Sequence, residues 1–153
     1  MIGVVCAFLA TRKVLFQSKD YVSVAAIWRD VLGLSSVTDE SVAKTCEKMK
    51  GDSRYCTFVA DMNDNVVGLV TIVETLAIDH PPNGYIKVNG LAILPEFQHC
   101  GIGKMLMERV EKLASERNIS LIGLASGFQR TDAHKFYEHL GYQKLSFYFR
   151  KRI

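Results

Sequence analysis

Between Leu91 and Lys104 the chain reads Leu-Ala-Ile-Leu-Pro-Glu-Phe-Gln-His-Cys-Gly-Ile-Gly-Lys, and this run constrains the fold more than any other part of its 153 residues. An apolar strand stops at Pro95, a short turn holds Gly101 and Gly103, and a helix begins at once. Ile102, Met105, Leu106, Val110 and Leu113 form an apolar stripe at three-to-four spacing, which predicts a helix over 103–117. The first amides of such a helix have no partner within it, and the helix dipole adds partial positive charge there. Glycines in the turn permit positive backbone angles and let a ligand approach without a Cβ in the way. The arrangement suits a phosphate or pyrophosphate, and taken alone it also suits a plain strand-to-helix turn. It fits neither common nucleotide loop. A Walker A loop needs glycine where Gln98 stands and a hydroxyl where Met105 stands. A dinucleotide fingerprint needs its third glycine at Leu106.

Around this segment the hydrophobic period alternates between helix and strand. Val14 to Gln17 reads as a short strand. A helix starting at Ser18 to Asp20 carries Val24, Ile27, Trp28, Val31 and Leu32 and stops near Gly33. Thr38 or Asp39 caps a second helix with Val42, Cys46 and Met49 on one face. Residues 55–61 and 66–76 flank Asn63-Asp-Asn65 as an antiparallel hairpin. His80 to Gly84 is loop, and 85–94 is another strand. After the long helix come a short strand over 121–125, a helix over 131–140 closed by Gly141, and a final strand or bent pair over 142–151. This order predicts an α/β (α+β) fold, with a mixed, mostly antiparallel central sheet flanked by helices, in one domain spanning 1–153.

Composition narrows the function classes. With 48% hydrophobic and 23% charged residues the chain reads as a soluble globular protein. Its net charge of +3 is scattered among acids, which argues against a nucleic-acid partner. Ile2 to Ala10 has no basic residues ahead of it and is too short to span a bilayer, so no membrane partner is expected. Cys6, Cys46, Cys56 and Cys100 form no C-x-x-C pair, and the four histidines lack ligand spacing. No metal site is expected, and reduced thiols fit a cytoplasmic protein.

Two motifs then supply a family. Gln98-His-Cys-Gly101-Ile-Gly103 resembles the Q/R-x-x-G-x-G/A signature of the GNAT superfamily of acetyl-CoA-dependent N-acetyltransferases. Downstream, Ala133-His-Lys-Phe136-Tyr137-Glu138-His-Leu140-Gly141-Tyr142 is similar to that family's second signature, A-x-x-[FL]-Y-E-x-L-G-[FY]. The resemblance implies a splayed strand at which Leu91, Ala92 and Ile93 pair with the pantetheine arm of acetyl-CoA. It places the pyrophosphate at Gln98, His99, Cys100, Gly101, Ile102, Gly103 and Lys104. An amide in the Ala92–Ile93 region would polarise the thioester carbonyl. Tyr137 matches the family's general acid, which protonates the departing thiolate. Phe136, Leu140 and Tyr142 are packing residues.

The base is less plainly matched. Two positions where family members carry a glutamate are Asn89 and Ala125 here, which leaves Glu74 as the acid to test. The family's asparagine three residues before Ala133 is replaced by Arg130, which could reach a CoA phosphate or the pantetheine. The implied function is direct transfer of acetyl from acetyl-CoA to a primary amine of a small molecule. Acetylation of a protein N-terminus or lysine, and a CoA-binding module with little catalysis, are the alternatives. The aromatic C-terminal segment, Phe147 to Phe149, could pair across a homodimer.

Overall fold

The computed structural model describes residues 9–13, 18–63, 65–78 and 82–153. They form two compact units, residues 1–123 and 124–153. The elements of the first are β1 (Leu9–Lys13), α1 (Ser18–Leu32), α2 (Asp39–Met49), β2 (Tyr55–Met62), β3 (Asn65–Thr75), β4 (Tyr85–Ile93) and α3 (Ile102–Glu116). The strand β5 (Ile122–Leu124) spans the boundary, and α4 (Thr131–His139) lies in the second unit. The sheet runs β1-β2-β3-β4-β5, and β1 to β4 pair antiparallel with their neighbours. The expected fold class is therefore observed.

Differences from the sequence reading fall at the ends. The first described strand is Leu9–Lys13, and the strand expected over 14–17 lies outside the described residues. The strand expected over 142–151 does not form. That segment has no regular structure, and Leu145, Phe147, Tyr148 and Phe149 are exposed. Its alternation of apolar and polar residues predicts a strand, but a strand also needs a partner to take its backbone hydrogen bonds.

Local chemistry explains the helices. At the start of α2 the Ser41 N–H donates to Thr38 Oγ1 at 3.1 Å, and the Thr38 N–H donates back to Ser41 Oγ at 2.9 Å. This reciprocal box satisfies two amides that the helix leaves over. In α3, Ile102, Leu106, Met107, Val110, Leu113 and Ala114 are buried at helical spacing. They cover one face of the sheet, while α1 and α2 cover the other.

Strand register assigns residues to these faces. Val59, Leu69 and Ala92 stand in one cross-strand row and belong to the core beneath α1, with Val24, Ala25 and Ile27. Thr57, Thr71 and Gly90 form the next row on that face, and Tyr55, Val73 and Lys87 the one after. Cys56, Ile72 and Val88 lie on the α3 face, as do Glu74 and Ile86. Phe58, Leu69, Ile72, Ile86 and Leu106 are at most 2% exposed. Each such side chain contributes about 1.5–3 kcal/mol through burial.

The pairing of β3 with β4 slips by one residue between Thr71 and Ile72. Thr71 is opposite Gly90 and Ile72 is opposite Val88, so Asn89 is an extra residue, a β-bulge. As a result Val88 and Gly90, two apart, face opposite sides of the sheet. Gly90 has to be glycine for a steric reason, because a Cβ there would stand 2.2 Å from Cη2 of Trp28 in α1.

Candidate active site

The end of β4 leads into a single turn of 3₁₀ helix, Pro95–Phe97, and then to the glycine turn. Leu94 N–H still donates to Val67 O at 2.9 Å, so the strand stays tied to β3 until the proline. Beyond it the backbone enters left-handed geometry twice, at His99 (φ 60°) and at Gly101 (φ 81°). A side chain at Gly101 would meet open space, so glycine serves the backbone angle and an unobstructed surface there. Gly101 O accepts from Met105 N–H at 3.0 Å, which closes the first turn of α3.

The amides of His99, Cys100, Gly101, Ile102, Gly103 and Lys104 have no backbone acceptor among the described residues. Six consecutive donors at the positive end of a fifteen-residue helix make a strong anion site. The residues present therefore fit a pyrophosphate. His99, Cys100 and Gly101 are exposed, Ile102 is buried as the first core residue of α3, and Lys104 is exposed with its ammonium 3.7 Å from Glu108.

Gln98 plays a different part from its neighbours. Its side-chain Nε2 donates to the Ile93 carbonyl at 3.0 Å, and its backbone N–H donates to Pro95 O at 3.2 Å. It thus clamps the turn to the end of β4. Leu91 and Ile93 are half-buried, and Ala92 is buried under α1. Cys100 is a free, exposed thiol.

The structure does not bring Glu74 to this place. Glu74 is paired with Ile86, whereas Gly68 is paired with Ile93. Six residues of β3 separate the two levels, about 20 Å along an extended chain. Glu74 also faces α3, and its carboxylate accepts from the Arg117 guanidinium at the end of that helix. Arg117 donates in addition to Ser53 O at 3.2 Å. Glu74 is a fastening between strand and helix, and its acceptor is committed. The sequence signal for this was the basic residue at the end of α3, which went unread because the two positions lie 43 residues apart.

The second unit carries Tyr137 and Arg130. Arg130 precedes α4 as its N-cap, and its N–H donates to Gly127 O at 3.0 Å. Tyr137 packs edge-on against Phe136 (5.2 Å between ring centres) and Tyr142 (5.9 Å). Tyr142 N–H donates to Tyr137 O at 3.0 Å, so the apolar signature residues do hold the tyrosine. Burial pushes the Tyr137 phenol above its ordinary pKa, and Arg130 pulls it partly back. A phenol in that setting keeps its proton at neutral pH and is suited to give it up only to a strong base.

Missed by sequence reasoning were the bulge at Asn89, the seat of Trp28 on Gly90, and the clamp by Gln98. An Asn-Gly pair inside an apolar strand is a bulge signal, and it was available at Asn89-Gly90. Among the described residues no group of three or more His, Cys, Asp or Glu could hold a metal ion. No described helix is long and apolar enough to cross a membrane.

A strand whose end is clamped beside a run of free amides suits an α/β protein with a diphosphate-bearing substrate. Comparison with known proteins says which. A model of the Acetyltransferase (GNAT) family matches residues 23–142, and the chain belongs to that family. It is an acetyltransferase, with acetyl-CoA as co-substrate. An aminoalkylphosphonate N-acetyltransferase of Salmonella typhimurium is 27% identical over 132 residues, covering 76% of this chain and 85% of the relative. The N-acetylaspartate synthetase of Rattus norvegicus is 31% identical over 90 residues, 59% of this chain but only 28% of that protein. Among solved structures, a transcriptional regulator from Bacillus halodurans superposes with a TM-score of 0.86 at 22% identity, over 95% of this chain and 99% of that one.

Proposed function

We propose that this acetyltransferase modifies the primary amine of a small molecule that also carries an acid group. The observation behind the acceptor class is that one relative is named for an aminoalkylphosphonate and the other for N-acetylaspartate, the acetylated form of an amine that carries acid groups. The free amides of His99 to Lys104 support the reading of the co-substrate side.

In this reading the turn amides hold the pyrophosphate, and Leu91 to Ile93 align the pantetheine arm. The neutral amine attacks the thioester carbonyl, the new C–N bond forms and the C–S bond breaks. Tyr137 supplies the proton that the leaving thiolate takes up, as its match to the family's tyrosine suggests, and burial keeps the phenol protonated until then. The amine's surplus proton passes to solvent water, because β4 carries no carboxylate and Glu74 is engaged by Arg117. Arg130, whose charge acts on Tyr137, lowers the cost of a transient phenolate. The free thiols of Cys46 and Cys100 suit a reducing, cytoplasmic setting.

The test pairs calorimetric titration with acetyl-CoA and a thiol-release assay over a panel of amines. Selective acetyl-CoA binding with turnover of aminoalkylphosphonates or amino acids is the expected result. Turnover confined to polycationic amines would overturn the acceptor class. Tyr137→Phe should lose turnover by about 10²–10⁴-fold while binding acetyl-CoA as before; unchanged turnover would remove Tyr137 as the acid.

A further inference from the structure

Residues 124–153 bury no side chain completely, even with the whole chain present. A unit of that size is too small to close a core of its own. Its apolar surface is concentrated toward the C-terminal end. Phe128, Leu145, Phe147 and Phe149 are 73–90% exposed, and the Phe128 and Phe147 rings already meet, with centres 6.0 Å apart. Leu145, Phe147 and Phe149 alternate with Lys144, Ser146, Tyr148 and Arg150. An extended chain here carries the three apolar side chains on one side. No residue from Tyr142 to Ile153 lies in a helix or strand.

The exposed area is of the size an interface needs. An aromatic side chain buries about 150–250 Å² when fully covered. At their exposures, Phe128, Phe147 and Phe149 present roughly 350–600 Å² between them. Leu145 and the edge of an extended backbone add to this, against about 800 Å² per partner in a stable complex. The edge matters as much as the rings, because an extended segment offers a row of donors and acceptors that another strand can take up.

We propose that residues 142–150 pair antiparallel with the same segment of a second copy of this chain, about a two-fold axis at Ser146. Identical antiparallel segments are related by such an axis, so the contact is self-complementary. With the axis at Ser146, Leu145 lies opposite the partner's Phe147 and Gln143 opposite the partner's Phe149. On the other side of the ribbon, Lys144 lies opposite the partner's Tyr148 and Tyr142 opposite the partner's Arg150. Cations thus meet rings, and no like charges stand across from each other. An axis at Phe147 would instead set Lys144 against the partner's Arg150, which is unfavourable. Lys151 and Arg152 run on past the partner's Gly141, just beyond the end of α4. Cations are favoured at a helix C-terminus. Each copy contributes Leu145, Phe147 and Phe149 to one side of the ribbon, and Phe128 packs against that side.

The test is sedimentation velocity over a range of concentrations. Wild type should sediment as a dimer at micromolar concentration. Phe147→Asp should raise the dimer dissociation constant by about 30-fold or more, the weight of one central aromatic residue. Phe147→Leu should keep most of the affinity, and circular dichroism checks that both variants stay folded. Cross-linking reads the register. Ser146→Cys, in a Cys100→Ser background that removes an exposed native thiol, should form a disulfide dimer on mild oxidation. Opposed Cα atoms in such a pair stand about 4.5–5.5 Å apart, within the roughly 4.4–6.8 Å that a disulfide spans. Tyr148→Cys in the same background should not link, because its counterpart lies four residues along the ribbon. A monomeric wild type would overturn the proposal, including one captured by phosphatidylserine vesicles through its aromatic and basic end. A dimer unaltered by Phe147→Asp, or equal cross-linking of Ser146→Cys and Tyr148→Cys, would overturn it too.

Discussion

Replacing Gly90 with alanine sets a methyl group against the Trp28 indole. The new Cβ would stand 2.2 Å from Cη2 and 2.5 Å from Cζ3, whereas carbon atoms in contact rest about 3.5–4.0 Å apart. The ring must retreat by more than about 1 Å, away from a core that includes Val24, Ile27, Leu69 and Ala92. Overpacking of that kind costs about 1–3 kcal/mol, against roughly 0.5–1 kcal/mol recovered by replacing a strand glycine. The net loss is about 1–2 kcal/mol, a fall in Tm of roughly 2–8 °C for a chain of this size. Thermal and urea unfolding followed by circular dichroism measures it, with the urea slope unchanged. The control is Trp28→Phe, which lacks the two offending atoms. In that background Gly90→Ala should be neutral or stabilising, so the double-mutant cycle should give a coupling of about 1.5–3 kcal/mol. An equal loss in both backgrounds, or no loss in either, would refute the steric account.

Other outcomes follow from the same geometry. Glu74→Gln should cost about 1–2 kcal/mol, because its partner Arg117 is left partly buried, while kcat stays near wild type; a collapse of kcat in a stable variant would return Glu74 to catalysis. Gly101→Ala forces a side chain into left-handed geometry at a cost of about 1–2 kcal/mol, and it should weaken acetyl-CoA in titration without altering amine binding. Gln98→Leu should do likewise by freeing the Ile93 carbonyl from its clamp; affinity equal to wild type would show the clamp to be dispensable. Burial holds the Tyr137 proton in the folded chain above pH values at which the unfolded chain releases it. Stability is thus unaffected below about pH 10 and falls as pH rises past it. Ultraviolet titration should show one late-ionising tyrosine that Tyr137→Phe removes.

The helices and central strands were legible because their apolar periods are undiluted. Ile102, Leu106 and Val110 announce α3, and the alternate burial of Ile86 and Val88 announces β4. The glycine turn was legible because Gly101 and Gly103 stand where a helix must begin. Glu74 misled because a strand pattern shows that a residue is in the sheet but not which face it takes or what lies across it. That depends on register, and Asn89 resets the register. The C-terminal segment misled for the opposite reason. Leu145, Phe147 and Phe149 alternate as a strand should, but pattern alone supplies no neighbour.

The bulge at Asn89 divides β4 into two stretches that are out of phase with each other. Downstream of it, Ala92 is buried beneath α1, and Leu91 and Ile93 take the opposite side of the sheet. Upstream, Tyr85 and Lys87 share the side of Gly90, while Ile86 and Val88 take the α3 side. Deleting Asn89 would not merely shorten the strand: it would exchange the inner and outer residues of Tyr85 to Val88 in a single step. Point substitutions there leave the phase untouched. One extra residue thus fixes, for the whole upstream half of β4, which side chains face the α1 side of the sheet and which the α3 side.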